Sequence, residues 1–125
     1  MNSFDRENYE RIREYLPNKI VDCHTHVWKA EFKSDETSER GVSWPDLVCN
    51  NNPVENLERI YREIFPDIQV TPVIFPCVSA GTDIERANDY MLECSRLKNY
   101  PAMALISPEM SKSKMERLFD GGFVG

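Results

Sequence analysis

Long hydrophobic runs are missing from this chain of 125 residues. No apolar stretch approaches the roughly 18 residues that a membrane-spanning helix needs. Residues 1–14 are charged where a secretory signal would be apolar. An excess of basic residues is also missing, because 15 lysines and arginines stand against 21 aspartates and glutamates, a net charge of -6. We therefore expect neither a membrane nor a nucleic acid as a partner.

Closely spaced cysteine pairs are missing as well. The four cysteines lie far apart in the sequence, at Cys23, Cys49, Cys77 and Cys94, and none forms a CxxC pair. Disulfide frameworks and closed zinc–thiolate sites normally depend on such spacing and, for disulfides, on secretion. The pattern predicts reduced thiols and a cytoplasmic protein.

What is present is an alternation of helical and strand patterns. Apolar residues at helical spacing predict helices over residues 4–16, 53–65, 83–98 and a short stretch from 111. Runs rich in β-branched and apolar residues predict strands over residues 19–23, 68–75 and 102–106, with a fourth beginning at 123. This order predicts a single α/β domain over residues 1–125, with about four parallel strands and intervening helices.

The segment between residues 28 and 52 has no steady period and predicts a long loop. Loops of this length in a compact domain are uncommon and are usually functional or disordered. Trp28 and Trp44 lie in this segment and are candidates for a substrate pocket, although loop aromatics more often simply pack. Ser107, at the end of the third predicted strand, is a third pocket candidate.

The only two histidines lie two residues apart at the end of the first predicted strand, in the segment Asp22-Cys23-His24-Thr25-His26. Successive residues of a strand point to opposite faces, so His24 and His26 are expected to point the same way, and Asp22 to share their face. Neutral imidazole is a good zinc ligand. The spacing predicts that both rings bind one metal ion, with Asp22 supporting a ligand rather than binding the metal itself.

The segment from Ile20 to His26 resembles the D-x-H-x-H signature that opens the first strand of the amidohydrolase superfamily of (β/α)8 barrels. The ending Phe123-Val124-Gly125 is similar to the start of the fourth barrel strand in the amidohydrolase-related branch, which contains hydrolases, nonoxidative decarboxylases and hydratases. The resemblance implies a divalent metal, most often zinc, held in part by His24 and His26.

The resemblance also predicts which part of the barrel and of its active site this chain contains. Such a barrel needs about 250 residues, so the chain is expected to form its first half, with the other metal ligands and the general acid or base beyond Gly125. No catalytic residue is therefore assigned. The expected function is a metal-dependent hydrolase acting on a small substrate that bears a carbonyl or carboxylate. The alternatives are a decarboxylase of the same branch, a phosphoesterase or deoxyribonuclease, and a non-catalytic half-barrel that forms homo-oligomers.

Overall fold

The computed structural model describes residues 3–33, 48–78 and 81–125. These residues form four α-helices: α1 (Ser3–Ile12), α2 (Val54–Ile64), α3 (Ile84–Lys98) and α4 (Lys112–Asp120). They also form two strands, β1 (Lys19–Val27) and β2 (Gln69–Pro76), and two short 3₁₀ helices at Arg13–Tyr15 and Ala30–Phe32. Within these ranges no helix is long and apolar enough to cross a bilayer.

The two strands pair in parallel, and helices cover one face of the pair. The register runs from Lys19 opposite Gln69 to Val27 opposite Pro76. On the covered face Val27 and Ile74 are fully buried and belong to the same core cluster as residues of α2 and α3. The other members of this cluster are Phe32, Val54, Leu57, Ala87, Tyr90, Met91, Cys94, Ala102 and Phe123.

The helix ends follow ordinary capping chemistry. The side chain of Asp83 accepts a hydrogen bond from the Arg86 N–H at 3.1 Å and caps α3. Ser111 caps α4 in the same way through the Lys114 N–H. The buried hydroxyl of Tyr90 accepts from the Val54 N–H at 3.0 Å, so α3 satisfies a free donor at the start of α2.

The prediction of four strands, and with it the first half of a (β/α)8 barrel, is wrong for the described residues, which contain a sheet of two strands. Residues 101–104 do lie beside β2, where the Ile74 N–H donates to the Pro101 carbonyl and the Met103 N–H to the Ile74 carbonyl, both at 2.9 Å. Residues 124 and 125 bond in turn to 102 and 104. These contacts do not extend into strands.

The buried side chain of Asn88 bonds the backbone near the end of the third predicted strand. Its amide oxygen accepts from the Leu105 N–H at 2.8 Å, and its amide nitrogen donates to the Leu105 carbonyl at 2.9 Å. Both backbone groups of Leu105 are therefore taken by a helix side chain rather than by a neighbouring strand. Pro101 has no N–H to offer a ladder at the other end of the segment.

Candidate metal centre

A β-bulge in β1 determines where the candidate ligands point. Asp22 lies opposite Pro72 and Thr25 lies opposite Ile74, so β1 carries one residue more than β2 in this interval. Asp22 and Thr25 consequently both reach Tyr61 on α2. The prediction that Asp22 shares a face with His24 and His26 is wrong, because the extra residue shifts the alternation by one position.

The two histidines do lie together, on the sheet face away from the helices. Their ring centroids are 5.3 Å apart and the rings are inclined by 68°. Both rings contact Phe75 of β2, at centroid distances of 5.2 Å for His24 and 4.3 Å for His26. His24 is exposed and His26 is half-buried. The structure thus brings the predicted pair together around one aromatic ring.

The orientation of His26 is fixed by the backbone. Its Nδ1 lies 3.0 Å from the carbonyl oxygen of Pro76. Because a carbonyl only accepts, this contact requires a hydrogen on Nδ1, which in the neutral ring leaves Nε2 with a free lone pair. The Asn52 side chain donates to the His26 carbonyl at 3.1 Å and holds the same residue from the other side.

Asp22 is engaged by α2 and by its own strand. The Tyr61 hydroxyl donates to Asp22 Oδ2 at 2.7 Å, and the His24 N–H donates to Asp22 Oδ1 at 3.1 Å. Partial burial raises the pKa of Asp22, but the hydrogen bonds from the Tyr61 hydroxyl and the His24 N–H lower it, and the net pKa lies below its ordinary value. Asp22 is therefore a carboxylate that contacts His24 through the backbone.

Trp28 is half-buried, and its indole nitrogen is buried without a hydrogen-bond partner among the described residues. It lines a cavity of about 10 Å³ together with Val27, Phe32, Pro76 and Met91. A volume of about 10 to 15 Å³ accommodates one water molecule. This space is far too small for a substrate. The role of Trp28 in a substrate pocket is not tested by this cavity and stays a prediction.

A second pocket candidate, Ser107, is not brought to Trp28. Ser107 is half-buried and lines a separate, polar surface depression with Asp83, Glu109 and Lys114. Its carbonyl accepts a hydrogen bond from the Met110 N–H at 3.0 Å, which is typical of a turn. Trp44 lies outside the described residues.

A complete set of metal ligands is not formed within residues 3–33, 48–78 and 81–125, where no cluster of three or more His, Cys, Asp or Glu side chains has metal-binding geometry. Sequence reasoning missed three groups that contact the histidines: Phe75, the Pro76 carbonyl and the Asn52 side chain. Their roles depend on the pairing of β1 with β2 and on the packing of α2, which no local pattern reveals. Comparison of the chain with protein-family models, curated proteins and solved structures finds no match.

Proposed function

We propose that His24 and His26 are two ligands of a divalent metal ion, most simply zinc, in a metal-dependent hydrolase of which this chain carries part of the site. The observation that carries the proposal is the orientation of His26. Its Nδ1–H is held by the Pro76 carbonyl, and its Nε2 is left for a metal. Ligand histidines in proteins are usually held by such a hydrogen bond from the second ring nitrogen.

The spacing of the rings supports the same proposal. Two imidazole nitrogens that each lie about 2.0 to 2.1 Å from a tetrahedral zinc ion place their ring centroids about 5 Å apart. The centroids of His24 and His26 are separated by 5.3 Å, close to this spacing. Phe75 contacts both rings and limits the space in which they rotate.

A bound divalent metal would supply a Lewis acid that activates water or polarises a substrate carbonyl. The role of this chain would be to hold two ligands in a fixed tautomer and orientation. The remaining ligands and the proton-transfer group would come from outside the described residues. The small substrate with a carbonyl or carboxylate, and the cytoplasmic location, rest on the sequence alone.

A second candidate is a non-catalytic protein that associates with itself and uses the histidines only to capture a metal. The observation that favours it is the exposure of apolar side chains on β1 and at residue 124. Val21 is 67% exposed and Val124 is 65% exposed. Burial of such side chains against a second copy would remove apolar area from water.

The two candidates are separated by an activity measurement. The full-length protein that carries this chain, stripped with a chelator and reloaded with zinc, is assayed against a panel of small esters, amides, lactones and aromatic carboxylates, with acid and CO₂ release followed separately. The proposal expects zinc-dependent turnover that the His24→Ala, His26→Ala double variant lacks. CO₂ release would indicate a decarboxylase instead of a hydrolase.

A matched control removes the neighbouring thiol. Cys23 is exposed and lies beside His24, so it is the other soft metal ligand at this place in the chain. The Cys23→Ala variant is expected to keep both zinc and turnover. Zinc binding without turnover on any substrate would favour the non-catalytic candidate, and turnover that survives loss of both histidines would overturn the metal assignment.

A further inference from the structure

A chain of hydrogen bonds joins α2 to the bulge of β1 that contains His24. Because the Tyr61 hydroxyl donates its hydrogen to Asp22 Oδ2, its oxygen is left to accept from the Thr25 hydroxyl, 3.1 Å away. Asp22 Oδ1 accepts in turn from the His24 N–H. The chain therefore runs from Thr25 through Tyr61 and Asp22 to the backbone of His24.

We infer that Tyr61 is a positioning residue that sets the metal affinity of His24 and His26 by holding the β1 bulge in place. The inference rests on the proposed function, because it concerns the same two ligands. Tyr61 touches neither histidine ring; it acts through Asp22 and Thr25, the residues on either side of the bulge.

The bulge needs such support because its geometry is not the default of a strand. A regular strand would place Asp22, His24 and His26 on one face. The extra residue instead turns Asp22 toward α2, where its half-buried carboxylate must find donors. Without the Tyr61 hydroxyl, the favoured position of Asp22 moves toward water, and the His24 N–H loses its acceptor.

The burial of Tyr61 also supports its role as the hydrogen-bond donor that holds Asp22. Burial raises the pKa of the Tyr61 phenol, and the adjacent Asp22 carboxylate raises it further, so the hydroxyl stays protonated and remains a donor at every physiological pH. A hydroxyl kept as a donor to a carboxylate forms a strong, charge-assisted hydrogen bond. This bond is therefore suited to fixing the backbone on which His24 is carried.

The test separates the hydroxyl from the aromatic ring. Tyr61→Phe keeps the ring that packs against the core and removes only the donor. The chain offers a matched control in Tyr100, which also packs against the core and whose hydroxyl donates to a carboxylate of α2, Glu58, at 3.2 Å. Tyr100→Phe deletes the same atom from the same residue type and leaves the Asp22 chain intact.

Zinc affinity and hydrogen exchange are measured on the wild type and both variants. We expect Tyr61→Phe to weaken zinc binding about tenfold, the usual scale for loss of a group that orients a ligand, and Tyr100→Phe to leave it unchanged. Amide exchange at His24, followed by NMR without metal, should accelerate several-fold in Tyr61→Phe only. A folding defect shared by both variants would lower stability without this selective effect on His24.

The outcomes distinguish this inference from the proposed function. A wild type that binds zinc, with an equal affinity in Tyr61→Phe, would overturn the positioning role alone. A wild type that binds no zinc would overturn the proposed function together with this inference. If Tyr61→Phe does not fold, Thr25→Val and Thr25→Ser provide the test, since only the serine keeps the donor to Tyr61, and equal zinc affinities in the two would overturn the inference.

Discussion

Asp67 joins the N-terminal helical segment to the start of β2 through two side chains. It accepts hydrogen bonds from the Tyr9 hydroxyl and from Arg13 Nε, the latter at 2.7 Å. These two bonds hold the pKa of Asp67 below its ordinary value. A carboxyl with a lowered folded-state pKa stabilises the protein above its unfolded pKa of about 4, and this contribution is lost as the pH falls through the folded-state value.

We therefore predict that Asp67→Asn lowers the melting temperature at pH 7, and that the difference from the wild type shrinks as the pH falls below about 4. Thermal unfolding at a series of pH values measures the effect, and NMR titration gives the Asp67 pKa directly. The effect is expected to be small because Asp67 is exposed. A difference that grows toward acid pH would contradict the assignment.

The residues of the candidate site show what alternation along the sequence can predict and what it cannot. Alternation along a strand predicted that His24 and His26 lie together, and this is confirmed. The same alternation placed Asp22 with them, which is wrong, because a bulge depends on pairing with β2 and leaves no mark in the sequence of β1. The metal itself stays a proposal.

At the scale of elements, Asn88 connects α3 to the segment beside β2. Its side chain is 3% exposed and bonds both backbone groups of Leu105. We predict that Asn88→Ala lowers the free energy of unfolding by about 1 to 3 kcal/mol, because it leaves two backbone groups unpaired. Urea denaturation measures the change, with the exposed neighbour Asp89→Ala as a control expected within about 0.5 kcal/mol of wild type. Equal stabilities of the two variants would contradict the role of Asn88.

The C-terminal end of α3 supplies a prediction in which one substitution lowers stability and another does not. Asn99 adopts a left-handed conformation, with φ of 56°, at the C-cap. Such a conformation costs most residues about 1 to 2 kcal/mol, and asparagine and glycine tolerate it. Asn99→Ala is expected to lower stability by about 1 kcal/mol, whereas Asn99→Gly should be at least as stable as wild type. The same urea measurements decide this, and a glycine variant weaker than the alanine variant would refute it.

Helices and strands were predicted best where they depend on the spacing of apolar residues within one segment of the sequence. The helix predicted over 83–98 is found at Ile84–Lys98, and the strand predicted over 68–75 is found at Gln69–Pro76. The strand predicted over 102–106 is not formed, and at its end the backbone of Leu105 is bonded by a side chain 17 residues earlier. The apolar sequence of residues 102–106 does not show that the Asn88 side chain bonds the backbone of Leu105.

At the scale of the molecule, one face of the sheet is covered by helices and the opposite face is open in the part of the chain that the structure describes. The open face carries His24 and His26 together with exposed Val21, and Val124, which follows the buried Phe123, is exposed as well. We predict that the chain associates with itself at high concentration, and that Val21→Ser with Val124→Ser reduces the association, since exposed apolar area drives it.

Light scattering across a concentration series measures this association. Leu97→Ser is the matched control, because Leu97 is 73% exposed but lies on α3, away from the open face. It should leave the apparent mass unchanged. A wild type that stays monomeric at every concentration would contradict the prediction, as would equal effects of the control and the double variant.

Calorimetric titration of the stripped protein with zinc tests most directly whether the two histidines form one metal site. We predict binding of one zinc ion by the wild type and by Cys23→Ala, and loss of that binding in His24→Ala, His26→Ala. Zinc binding that persists unchanged in the double histidine variant would contradict this prediction.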